Sequence, residues 1–252
     1  MRQDEIQEFY LNQDDIGKTY TRPVSAQDND RAEIITNYLP ASPIAILELG
    51  AGGGQRAFAT AKMGNHVTAL EFVPKLAAHC VELSSKLPTG SLKVIQGDFY
   101  KVEIQQKYDA IVYWDGFGVG DDEEQRCLLK RIKGWLKQDG IALIDIYTPW
   151  HAIRQIGVEM NFEHAKRRYD FDAENCRWLD TWWDSTNPDK KYTQSLRCYS
   201  PADFKMLLKD IGLEISEIIH GGYYDQNEKK YYEVAPTLEK SIWYTVKLHH
   251  NY

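Results

Sequence analysis

Between Ile44 and Gly140, short apolar runs alternate with stretches in which apolar residues recur at helical spacing. That alternation predicts a parallel sheet covered by helices. Five runs read as strands, at 44–50, 66–72, 92–98, 108–114 and 141–147. They are apolar nearly throughout, as strands buried on both faces should be. Helices fit between them. One at 54–63 stops at Gly64, one at 74–87 carries proline in its first turn, and one at 121–137 begins with acids and is followed by Gly140. In the last, Leu128, Leu129, Ile132, Trp135 and Leu136 form one apolar stripe expected to pack on the sheet.

The flanks follow other patterns. Residues 1–43 read as a helical lead-in, with Ile34, Ile35, Tyr38 and Leu39 on one helix face. From 148 to 199 the chain is dense in aromatic and charged residues, with strand-like runs near 168–172, 177–183 and 193–199, which predicts an antiparallel insert. Ser200 with Asp203 three residues later marks a helix start, and Phe204, Leu207, Leu208 and Ile211 share its apolar face. Two further β runs, 213–220 and 241–249, are separated by a polar, tyrosine-rich loop. The expected organisation is a lead-in at 1–43 and one domain at 44–252 that carries a cap-like insert at about 148–199.

Composition narrows the function. The chain has 252 residues and a formal charge of -7, long enough for a full core without disulfide staples. An acidic balance supplies no basic field for a phosphate backbone, so nucleic acid is not an expected partner. Cys80, Cys127, Cys176 and Cys198 are dispersed and form no CxxC pair, so they read as buried free thiols in a reducing compartment, with no metal site implied. The polar, acidic start MRQDEIQEFY does not resemble a signal peptide, and no run reaches the ~18 apolar residues of a membrane span. A cytoplasmic location is expected.

The most informative stretch is ILELGAGGG at 46–54, where an apolar strand runs into Glu48 and then Gly50, Gly52 and Gly54. Glycine lets backbone approach a ligand closely and turn into a helix whose free N–H groups point at it. The spacing is GxGxG. A dinucleotide fingerprint would place its third glycine where Gln55 stands, and the Gly-Lys of a Walker loop is absent. About 20 residues on, the second strand ends in Glu71, suited to accept hydrogen bonds from ribose hydroxyls. The third ends in GDFY, which places Asp98 and Phe99 at the same edge, where open α/β sheets hold ligands.

Over roughly 34–147 this sequence resembles the class I S-adenosylmethionine-dependent methyltransferases, and 195–218 looks like the closing helix-strand unit of their small-molecule members. The resemblance implies a doubly wound, mostly parallel seven-stranded α/β sheet with a reversed last strand. It also implies S-adenosyl-L-methionine as cofactor. Glu48, Gly50, Gly52 and Gly54 would then hold the methionine part, Glu71 the ribose, and Asp98 and Phe99 the adenine. In YDAIVYWDGF, Tyr113, Trp114 and Asp115 would stand at the mouth of the transfer site, Trp114 on the cofactor side. The acid-or-amide-Pro-Pro motif of base- and glutamine-methylating enzymes is missing after the fourth strand. So are the Asp-Asn pair of metal-dependent catechol-type enzymes and the double-glutamate hairpin of protein arginine methyltransferases.

The implied reaction moves a methyl group to an O or N atom of a small molecule by in-line displacement, in which alignment and water exclusion are the main tasks. Asp115, Tyr147, Trp178 and Trp182 are the candidate acceptor contacts. His151 stands where a general base could reach, or is a loop residue; His220 is a weaker candidate. The tryptophans of the insert could be the core of a small sheet, a lid separable from the cofactor site, or a homodimer surface, and the first two can hold together. A non-catalytic nucleoside-binding protein of the same fold and an NAD-dependent oxidoreductase are the alternatives.

Overall fold

A computed structural model describes residues 3–39 and 41–251. The lead-in forms helices α1 (Gln3–Gly17) and α2 (Ala26–Tyr38). The alternating region follows as β1 (Ala45–Leu49), α3 (Gln55–Lys62), β2 (His66–Glu71), α4 (Pro74–Ser84), β3 (Ser91–Gln96), β4 (Tyr108–Tyr113), α5 (Asp122–Trp135) and β5 (Leu136–Tyr147). Beyond it come α6 (Pro149–Arg154) and the strands β6 (Glu159–Asn161), β7 (Ala165–Asp172), β8 (Arg177–Asp184) and β9 (Lys191–Arg197). The chain closes with α7 (Pro201–Leu207), β10 (Leu213–His220), β11 (Tyr223–Asp225), β12 (Lys230–Tyr232) and β13 (Trp243–His250).

Seven strands make one sheet in the order β10-β13-β5-β4-β1-β2-β3. β13 runs antiparallel to both neighbours, and the remaining pairs are parallel. Side chains alternate across this sheet, as a strand's period of two requires. Along β4, Ile111 and Tyr113 enter a core shared with α5 and α7, whereas Ala110 and Val112 enter the opposite one with Ile35 of α2 and Ala57 of α3. Leu128, Leu129, Ile132 and Trp135 are all buried beneath α5, the stripe read from sequence. Asp121 and Ser200 each form a capping box, with Glu124 and Asp203 respectively.

Four expectations change. β3 is half-exposed rather than buried on both faces, because it is the edge of the sheet and has a single strand neighbour. The helix expected to reach residue 137 ends at Trp135, where β5 begins early, at Leu136. The tyrosine-rich loop contains the β11–β12 hairpin, with Tyr223 and Tyr232 stacked at 5.2 Å. Cys127 is exposed on α5, although Cys80 and Cys198 are buried.

The insert is a separate four-stranded antiparallel sheet in the order β6-β7-β8-β9. It is anchored to the loop after β4. Arg177 donates to the carbonyls of Gly118, Val119 and Gly120, and the N–H of Arg197 to Gly118 at 2.8 Å. α1 lies against the insert, and Phe9, Ala165 and Trp182 share a small core.

Candidate active site

The sheet order reverses between β1 and β4, since the chain builds β2 and β3 on one side before crossing to β4 and β5 on the other. Loops leaving the carboxyl ends of β1 and β4 therefore diverge, and the crevice between them is the usual ligand position in such sheets. A cavity of about 250 Å³ lies there. Glu48, Gly50, Gly52, Glu71, Asp98 and Phe99 all line it, as do Trp114 and Asp115.

Each wall group has a local cause. Gly50 and Gly52 take φ of 58° and 56°, a conformation that side-chain-bearing residues rarely adopt. Glu71, at the end of β2, straps this loop: its carboxylate oxygens accept the N–H groups of Gly52 and Val73, both at 2.7 Å. Burial, opposed by those bonds, raises Glu71 to about 7. Glu48 is 3% exposed and pushed up to about 8, first by burial. Its Oε2 has no hydrogen-bond partner among the described residues, and neither does the buried Trp114 Nε1. Asp98 accepts the N–H of Tyr100 at 2.8 Å, and the Phe99 ring packs edge-on against Tyr100 and Tyr113.

A second, smaller cavity of about 50 Å³ shares Tyr10, Tyr20 and Asp115 with the first. Tyr147 and Trp178 line it, with ring centroids 4.8 Å apart, and the Tyr147 hydroxyl donates to Asp115. Asp115 has φ 60° and is the one exposed residue within 111–120. The indole N–H of Trp178 is buried without a partner among the described residues.

Four residues singled out from sequence stand elsewhere, among them His220, whose ring hydrogen-bonds the Ala235 carbonyl at 3.2 Å and lines neither cavity. Gly54 (φ 85°) serves packing: a Cβ there would come 2.3 Å from the Cys80 sulfur, so glycine lets α3 start hard against α4. Trp182 is turned to the α1 side of the insert, stacked on Phe162 at 5.4 Å and away from either cavity wall. His151 is in α6 behind Trp178, rings 5.6 Å apart, and lines neither cavity. Burial and then Arg154 lower it to about 4.

The sequence reading missed the lead-in's share of the site. Tyr10, Thr19, Tyr20, Arg22 and Asp28 all line the larger cavity. The α1–α2 connection is pinned over the glycine loop: Gln55 Nε2 donates to the carbonyls of Tyr20 and Arg22 at 2.6 and 2.7 Å. A Cβ on Gly53 would sit 1.7 Å from the Tyr20 oxygen, which shows how close this roof comes. A run of tyrosine and polar residues between two helices, with no apolar period of its own, was the available signal. Nothing in it named the partner.

Residues 46–140 match the model of a methyltransferase domain family. Over that stretch the chain is similar to methyltransferase domains. Around it the whole fold has counterparts among solved structures. The CcbJ methyltransferase from Streptomyces caelestis shares 17% identity and a TM-score of 0.72, over 97% of this chain and 98% of that one. An S-adenosylmethionine-dependent methyltransferase from Clostridium acetobutylicum gives 13% and 0.71, over 98% and 99%. A SAM-bound amino pentose methyltransferase from Micromonospora echinaspora gives 16% and 0.58, over 89% and 92%. Among curated proteins none matches this chain in sequence. The likeness in fold to these structures thus extends through the lead-in and the insert. Among the described residues, no helix is long and apolar enough to cross a membrane.

Proposed function

We propose that this protein is an S-adenosylmethionine-dependent enzyme that transfers a methyl group to an O or N atom of a small molecule. The observation that carries the reading is the buried, unpartnered Glu48 oxygen beside a glycine loop in the cavity that Glu71 and Asp98 also line. An orphaned buried carboxyl oxygen needs a donor. The methionine ammonium of the cofactor supplies one, with Gly50 and Gly52 giving it room. Glu71 would take the ribose hydroxyls with its remaining lone pairs, Asp98 and Phe99 the adenine, and Trp114 would wall the cofactor.

Bound there, the cofactor supplies an electrophilic methyl group. The protein's own residues then orient the acceptor and exclude water. Tyr20, pinned by Gln55, covers the cofactor cavity, and Asp115, Tyr147 and Trp178 border the acceptor's approach. The fold neighbour that acts on an amino pentose supports a small polar acceptor. The reading extends to a lead-in, a methyltransferase domain and an insert serving one site in the cytoplasm.

Calorimetric titration tests this directly. S-adenosylmethionine or S-adenosylhomocysteine should bind more tightly than NAD or ATP. At 100 times its dissociation constant a ligand adds about 2.7 kcal/mol of stability, readily seen in thermal unfolding. Stabilisation by NAD alone would overturn the proposal. A metabolite screen read by S-adenosylhomocysteine production should then separate catalysis from mere nucleoside binding.

A further inference from the structure

The smaller cavity has an unbalanced wall. Among the described residues three charged side chains line it, Asp115, Asp180 and Arg167. Two of them neutralise each other, since Arg167 Nε and Nη2 donate to the two Asp180 oxygens at 2.7 and 2.6 Å, and the Trp182 indole adds a third bond at 3.1 Å. The charge left over is that of Asp115. Among the described residues it accepts one hydrogen bond, from the Tyr147 hydroxyl, which leaves a carboxylate with spare acceptor capacity facing the space. Around it stand the rings of Tyr10, Tyr20, Tyr147 and Trp178. The two amides of the same wall are already engaged, Gln13 by the Tyr20 hydroxyl at 2.6 Å and Gln194 by that of Tyr10.

A single uncompensated carboxylate within a ring of aromatic side chains favours a cation, which gains both a charged hydrogen bond and attraction to ring faces. The space admits only a small head group. The proton inventory points the same way. Among the described residues, no lysine or histidine lines either cavity. Burial raises the phenols of Tyr10, Tyr20 and Tyr147, so they are poor proton acceptors that stay protonated. In the smaller cavity an alcohol acceptor would therefore meet a carboxylate, Asp115, as the one base not already paired, and a carboxylate is a weak base for a hydroxyl. An ammonium group, with a pKa of about 8 to 10, gives up its proton far more readily.

We infer that the acceptor is an amine, held as its cation in the cavity of Tyr10, Tyr20, Tyr147 and Trp178 by the carboxylate of Asp115, which takes the ammonium proton before transfer. This rests on the methyltransferase reading and narrows it to N-methylation. In the step itself the nitrogen lone pair forms the new N–C bond, and the methyl carbon's bond to sulfur breaks with its electron pair left on sulfur. The positive charge passes from sulfonium to the methylated nitrogen. The ammonium proton, taken earlier by Asp115, passes to solvent, to which Asp115 is the one exposed residue within 111–120. The left-handed backbone at Asp115, φ 60°, is the kind of local strain found where a side chain must be aimed.

The variant Asp115→Asn keeps the shape and tolerates the left-handed conformation, so it removes the charge with little threat to folding. The probes are trimethylammonium and its neutral counterpart of similar shape, tert-butanol, titrated by saturation-transfer NMR into protein loaded with S-adenosylhomocysteine. The cation should bind about tenfold or more tightly than the alcohol. In Asp115→Asn that preference should vanish while S-adenosylhomocysteine affinity stays within a few-fold. Release of S-adenosylhomocysteine from S-adenosylmethionine should likewise exceed background for 2-phenylethylamine and not for 2-phenylethanol. Equal affinity for the two probes, a preference that survives in Asp115→Asn, or turnover of the alcohol alone would each overturn the inference. Failure of S-adenosylhomocysteine to bind the unaltered protein would instead overturn the cofactor reading.

Discussion

Glu48 is an acid that the fold keeps protonated at neutral pH, and this has a measurable consequence. Its ordinary value of 4.5 rises to about 8, and that of Glu71 from 4.5 to about 7, burial being the leading cause in both. An acid whose folded value is raised favours folding fully below its unfolded value and loses that advantage as pH climbs through the folded one. Stability of the cofactor-free protein should therefore fall between pH 4.5 and about 8. Each group contributes at most about 1.4 kcal/mol per pH unit. Glu48→Gln should be more stable than the parent above that window, little different below it, and weaker in cofactor binding. Urea unfolding at a series of pH values checks this, and an unchanged slope in the variant would remove Glu48 from the account. Gly54 tests packing at the same scale. Gly54→Ala meets the Cys80 sulfur at 2.3 Å and a left-handed φ, so a loss of about 3 kcal/mol or more in urea unfolding is expected.

Among the elements, the α1–α2 connection forms part of the larger cavity's wall through Thr19, Tyr20 and Arg22. It is short, yet Asp14 accepts the N–H groups of Tyr20 and Thr21 at 2.9 Å, pairs with Lys75 of α4 at 2.7 Å, and leaves the Tyr20 and Arg22 carbonyls to Gln55. This builds a roof over the glycine loop from one buried acid and one amide. Gln55→Ala would leave two carbonyls without their donor, costing about 1 to 3 kcal/mol. Release of S-adenosylhomocysteine should quicken severalfold in stopped-flow fluorescence, with the sheet unchanged. Equal release rates would mean that the connection covers the cavity without governing exit. The sequence announced the cap of α7, and the acids that begin α5, because those bonds span three residues. Gln55 reaches back 35 positions to Tyr20, and no local rule could foresee that.

At the scale of the whole molecule, insert and lead-in are one assembly. A lid separable from cofactor binding is the simplest expectation for an excursion after the fifth strand, but the packing ties it to α1 through Phe9, Ala165 and Trp182. Replacing β7 and β8 by a short linker should therefore weaken S-adenosylhomocysteine binding as well as acceptor turnover, because α1 loses its apolar support. A gentler change separates the two. Arg177 ties β8 to the loop carrying Gly118, Val119 and Gly120 and also donates to the Ser195 carbonyl at 2.7 Å. Arg177→Met should lower stability by about 2 to 4 kcal/mol and slow methyl transfer more than it weakens cofactor binding. Calorimetry and a turnover assay on the same preparation would show it; equal losses in both would place the strain on the cofactor side.

Much of this molecule is written in short-range chemistry. The order of strands and helices, the caps, the glycine turn with Glu48, and the acids closing β2 and β3 all depend on residues within a few positions of one another. The amino-acid sequence alone therefore determined the layout of the sheet and the residues that gather at the carboxyl ends of β1, β2 and β3. The smaller cavity obeys no such rule. Gln194 donates to Tyr10 across 184 positions, and Asp180 is neutralised by an arginine on the neighbouring strand. Which tryptophan of β8 lines a cavity was settled by the packing of both faces of that strand, where Trp178 meets Tyr147 and Trp182 meets Phe9. Side-chain alternation supplies the two faces, but only the docking of α1 and of the main sheet against them decides which one becomes a core and which a binding wall.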